Sequence, residues 1–137
     1  EIAAAVLETH AETIESSPLR RASLALAADR YSRGSLELTI VTDALPEAWR
    51  KRIGRRYLPG RLLARRPATE GELDEWLDEL ELDESPPIWA GRGQESGEPT
   101  IYVCRSFTCS PPQTDIEQAL SWVEKLAPES KSESDEN

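Results

Sequence analysis

The chain has one histidine, two cysteines and no methionine among 137 residues, and its lysines number only three, Lys51, Lys125 and Lys131. A metal held by both cysteines would need two further ligands, and His10 with scattered acids does not offer them at a recognised spacing. Two cysteines without a basic, apolar, small-residue leader make no secreted disulfide framework. No apolar run approaches the roughly 18 residues of a membrane span. The cytoplasm is therefore the expected compartment, with no membrane partner. G-x-G-x-x-G, G-x-x-x-x-G-K, G-x-S-x-G and H-E-x-x-H are all missing, which argues against a standard nucleotide or hydrolase site. No catalytic residue, metal ligand or cofactor is assigned.

Positive charge is also short. Sixteen bases against 26 acids leave a net charge of −10, so a polyanion would be repelled over most of the surface and nucleic acid is an unlikely partner. The scarcity of lysine beside an acid excess suggests a GC-rich genome or a salt-adapted proteome. What is present is 38% apolar residues in one domain's length of chain, enough to bury a core.

Residues 2–15 carry Ala3, Val6, Leu7, His10 and Ile14 at helical spacing. His10 reads as a residue packed at the edge of that helix. Ser17 and Pro18 read as the N-cap and first position of a second helix over 18–32, with Leu19, Ala22 and Leu26 inward. A strand over 36–41, L-E-L-T-I-V, precedes a helix over 46–57 whose face is Trp49, Ile53 and Tyr57. A short strand follows at 61–65. Thr69 with Glu72 caps a helix over 70–82, and Thr114 with Glu117 repeats that spacing before a helix over 115–127. Between them lie a Gly- and Pro-rich connection over 83–98, in which Ile88 and Trp89 plug the core, and a strand over 100–104.

This order predicts an α/β fold: a small three-stranded parallel sheet, order 2-1-3, with helices on both faces and two N-terminal helices. Residues 1–127 read as a single domain. Residues 128–137, P-E-S-K-S-E-S-D-E-N, read as a disordered acidic tail, having nothing to bury beyond Pro128.

The segment Y-V-C-R-S-F-T-C-S-P-P-Q-T-D, carried by Tyr102, Val103, Cys104, Phe107, Cys109, Pro112, Thr114 and Asp115, resembles the closing segment of the spermatogenesis-associated protein 20 family of thioredoxin-domain-containing proteins. The proline-started helix at Pro18, the strand L-E-L-T-I-V and the Y-L-P-G turn are also similar. The resemblance implies the C-terminal piece of a longer chain with a thioredoxin-like domain and an (α/α)-barrel upstream, and a start at Glu1 inside a helical pattern agrees. It implies a non-catalytic accessory or interaction domain whose partners are the upstream domains of the same parent chain. The thioredoxin-like C-x-x-C belongs to the absent part, so no redox role carries over by position.

Two alternatives come from the residues themselves. Cys104 and Cys109 read as buried thiols, as a reversible disulfide or as part of a metal site; five residues of chain suffice to bring two Cα atoms within the roughly 4.4–6.8 Å that a disulfide needs. Cys104 is expected at the carboxyl end of a parallel strand, where open α/β sheets place ligands, and Cys109 just before a helix N-terminus. The second alternative is a phosphate or RNA site on the basic block 50–66, with Arg50, Arg52, Arg55 and Arg56 as the anion-binding candidates. Pairing of that block with the acidic run 70–84 is the simpler account of both.

Overall fold

The computed structural model describes residues 2–58, 60–106 and 108–126. The expected disordered tail, 128–137, lies outside them. The chain divides into two compact units, Glu1–Ser35 and Leu36–Asn137, where the sequence reads as one domain over 1–127.

The first unit is helical: α1 (Ile2–Thr9), α2 (Ala11–Ser16) and α3 (Ala22–Arg33). The continuous helix expected over 2–15 breaks at His10. Thr9 Oγ1 donates to Ala5 O at 2.7 Å, and His10 N is shared between Val6 O and Leu7 O, 3.2 Å each. A back-bonding threonine and a bifurcated amide tighten the turn and end the helix there. Ser17 and Pro18 do not start α3. Arg20 N and Arg21 N bond to Ser17 O and Pro18 O, a three-residue spacing that makes 18–21 a turn and delays the helix to Ala22. Leu19 thus precedes the helix, and Leu24, Ala25 and Ala28 take the less exposed positions instead of Leu19, Ala22 and Leu26.

The second unit contains β1 (Leu36–Val41), α4 (Glu47–Gly54), β2 (Arg61–Arg66), α5 (Glu70–Glu79), β3 (Thr100–Arg105), β4 (Thr108–Cys109) and α6 (Ile116–Lys125). The sheet has the order β2-β1-β3-β4. β1 pairs parallel with β2, but β3 runs antiparallel to β1 and β4 antiparallel to β3. The fold is therefore α/β with a mixed four-stranded sheet, which corrects the expected all-parallel sheet of three strands. The cause lies just before β3. Glu95 and Glu98 form a bridge around Ser96 and Gly97, both at positive φ. This tight reversal delivers the chain to Thr100 beside Val41, at the carboxyl end of β1, and from there the strand can only run back.

One face of the sheet is the core. Leu36, Leu38 and Ile40 of β1 and Ile101 and Val103 of β3 cluster with Trp49 and Ile53 of α4 and Ala119, Leu120 and Val123 of α6, as the alternation of a strand and the stripe of a helix require. Tyr57, expected on the face of α4, is 90% exposed because that helix ends at Gly54. The cap of α6 is also displaced by one residue. Asp115, not Thr114, accepts from Gln118 N at 2.9 Å, which leaves Glu117 to face α4. The Thr69 cap of α5 forms as expected, accepting from Glu72 N. That helix closes at Glu79 rather than 82: Leu82 N bonds to Leu77 O and Glu81 N to Asp78 O, with Glu81 left-handed at φ 54°, a Schellman ending built on a glutamate.

Candidate functional site

Cys104 and Cys109 are directly opposed across the β3–β4 hairpin and are joined in a disulfide, Cα to Cα 4.1 Å. Ser110 N donates to Val103 O at 2.8 Å on one side of the pair, and Arg105 opposes Thr108 on the other, so the cysteines occupy the narrow, non-hydrogen-bonded position of the ladder. Beyond it the pairing slips by one residue to Ile101 and Gln113. The slip absorbs Pro111 and Pro112, which have no N–H to give a ladder. Cys104 is 3% exposed, whereas Cys109 is exposed.

This placement corrects two expectations. Because β3 is antiparallel, Cys104 lies beside Glu37, next to the amino end of β1, and not at the carboxyl edge of a parallel sheet. Cys109 belongs to β4, and the cap of α6 lies six residues later at Asp115.

The sheet face opposite the core carries the connection 85–93, and a single guanidinium organises the contact. Arg92 Nη1 donates to Thr39 Oγ1 at 2.7 Å and to Ile88 O. Its Nη2 lies 3.2 Å from Cys104 Sγ, 4.0 Å from Cys109 Sγ and 3.7 Å from Glu37 Oε2. The register explains the convergence, for Glu37 is opposite Cys104 and Thr39 opposite Tyr102, so all four side chains share one face. Tyr102 Oη donates to Gly93 O at 2.8 Å and Thr39 Oγ1 to Ile88 O at 2.8 Å. Trp89 packs against Trp76 of α5, ring centroids 6.2 Å apart. The arginine side chain is 11% exposed, so a positive charge is held close to both sulfurs, the arrangement that stabilises a thiolate.

The basic block is mostly engaged with carboxylates. Arg50 grips Glu47 within α4, 2.7 Å at each of two bonds. Arg52 grips Glu117 of α6, 2.6 Å at each of two, and Arg56 reaches Glu124 at 2.6 Å. Arg55 is the exposed C-cap residue of α4. Arg65 lies over the Trp76 ring at 4.9 Å, and Arg66 pairs with Glu70 at 2.5 Å. The bond from Arg52 holds the Glu117 carboxyl below its ordinary range, and that from Arg50 does the same for Glu47; both arginines are raised in turn. Of the acidic run 70–84 only Glu70 is the salt-bridge partner of a block arginine here; the others come from α4 and α6.

Arg92, Glu37, Thr39 and Tyr102 are the site residues that sequence reasoning passes over. Two signals pointed to them. Arg92 is the only base between Arg66 and Arg105, set between two glycines, and Glu37 is the one charged residue of the central strand. Among the described residues no group of three or more His, Cys, Asp or Glu is placed to hold a metal ion, and no helix is long and apolar enough to cross a membrane. No protein-family profile, curated protein or solved structure matches the chain.

Proposed function

We propose that this chain is a non-catalytic accessory domain that docks onto upstream domains of a longer thioredoxin-domain-containing protein. The observation that carries the reading is the surface of the helical unit. Among its described residues none is buried, while Ile2, Leu19 and Leu26 are 85%, 93% and 71% exposed. Three short helices with so little burial are marginal in water, and helices of this length take their stability from an apolar face packed on something else. The resemblance of the 102–115 segment names the occupant as the upstream barrel. The test is amide exchange of residues 2–30 with and without that barrel co-expressed. Docking predicts clear protection, and unchanged exchange would remove the proposal.

A second reading, favoured by the position of Arg92, is thiol–disulfide exchange. An incoming thiolate attacks the exposed Cys109 Sγ, forming a mixed disulfide there and breaking the bond to Cys104, whose sulfur leaves as a thiolate beside the guanidinium. A second thiol then attacks the mixed disulfide, so that two thiols are oxidised to one disulfide and the protein is left with two reduced cysteines. Trapping with a low-molecular-weight thiol, read by mass spectrometry, should find the adduct on Cys109 alone, formed more slowly in Arg92→Ala. Adducts only after denaturation would leave the bridge a purely structural role.

A further inference from the structure

Beside the connection 85–93 is a cavity of about 410 Å³ whose lining includes Arg66, Glu70, Leu73, Ser85, Trp89 and Arg92, within the size range of small-molecule sites. Its lining residues carry three buried polar atoms without a hydrogen-bond partner: Arg66 Nε, Ser85 Oγ and Trp89 Nε1. Such groups are rare because burying a donor without an acceptor is unfavourable, and here three fall on residues of one cavity. Arg66 is 3% exposed. Its Nη1 donates to Pro67 O at 3.0 Å and its Nη2 to Glu70 at 2.5 Å, so Nε–H is the donor left over. Glu70, 77% exposed at its side chain, holds the guanidinium from the solvent side.

We infer that this cavity binds a small organic anion. The chemistry of the lining selects the class. The unpartnered atoms supply a guanidinium N–H, an indole N–H and a hydroxyl, and Arg92 is also among the lining residues. Such a set is satisfied by an oxyanion, which accepts several hydrogen bonds at once and gains from the charge of the donors. Leu73 and the Trp89 ring give an apolar wall for the body of the ligand. Carboxylate and phosphate share this chemistry. A polyanion does not suit a chain of net charge −10, so the ligand is small. The site is distinct from Arg50, Arg52, Arg55 and Arg56, and does not depend on the docking or exchange readings.

The experiment is a titration of the intact chain at low ionic strength with acetate, benzoate, inorganic phosphate and phenyl phosphate, following the Trp89 indole N–H, identified as the resonance missing from Trp89→Phe, together with the backbone amides of residues 85–93, which remain as the readout in both variants. A saturable shift in the millimolar range or tighter is expected, and the stronger of the two series identifies the oxyanion. Benzoate should exceed acetate, and phenyl phosphate inorganic phosphate, by virtue of the apolar wall. Ser85→Ala and Trp89→Phe, both mild enough to fold, should each weaken binding about tenfold, the loss of one hydrogen bond to a charged acceptor. No saturable shift would mean that water alone satisfies these donors and would overturn the inference. Binding that both variants leave unchanged would place the anion elsewhere and overturn it equally.

Discussion

Glu117 shows how a single side chain changes role when the chain folds. Its spacing from Thr114 suits a capping box, yet Asp115 caps the helix and Glu117 turns to Arg52 across 65 residues of sequence. The consequence for pH follows from the lowered carboxyl. Unfolded, Glu117 titrates near the ordinary value of about 4.3; folded, it titrates lower. The contribution of the pair to stability is thus fully present above the ordinary value and is lost as pH falls through the folded one. An NMR titration should place the Glu117 carboxyl below its ordinary value, and Arg52→Gln should return it towards that value. The cap makes a separate prediction. Asp115→Ala should lower stability by about 0.5–2 kcal/mol and Thr114→Ala far less, as read by chemical denaturation; equal losses would restore the capping box at Thr114.

Elements are where backbone geometry overrides pattern. The ending of α5 is set by Glu81 in the left-handed region, where an L-residue with a Cβ is disfavoured and glycine is not. Glu81→Gly should therefore raise stability by about 0.5–1 kcal/mol, measured as a higher denaturation midpoint at unchanged slope. The β3–β4 hairpin carries the opposite prediction. Cross-linking a loop this short restricts the unfolded chain by about 2 kcal/mol, so Cys104→Ala with Cys109→Ala should cost roughly that amount. The same variant in a reducing buffer should lose nothing more, whereas the parent chain should fall towards it. The alternation in Ile101, Tyr102 and Val103 made β3 readable, whereas its partner β4, only Thr108–Cys109, is too short to carry a strand signal of its own. The direction of β3 was not readable, because it follows from two positive-φ residues, Ser96 and Gly97, inside a connection whose composition says only that it turns.

Across the whole molecule the two units differ in what they bury. The core cluster comes from residues between Leu36 and Val123, so a chain starting at Leu36 should melt cooperatively by circular dichroism. Residues 2–35 alone should show weak, non-cooperative helicity. A cooperative helical melt of 2–35 would contradict the need for a docking partner. The sequence by itself determined the elements whose signal is local: the strand β1, the helical stripes of Trp49 with Ile53 and of Ile116, Leu120, Val123 and Leu126, the Thr69 cap, and even the neighbours of the central strand. It also determined the charge that disfavours polyanions. Tertiary structure alone decided strand direction, the joining of Cys104 to Cys109, the partners of Arg52 and Arg56, and the meeting of Arg92 with Glu37, Thr39 and Cys104. The reason is physical. Periodicity and caps depend on residues within about one turn of each other, whereas these contacts join residues from 5 to 68 positions apart and exist only once one face of the sheet has been buried.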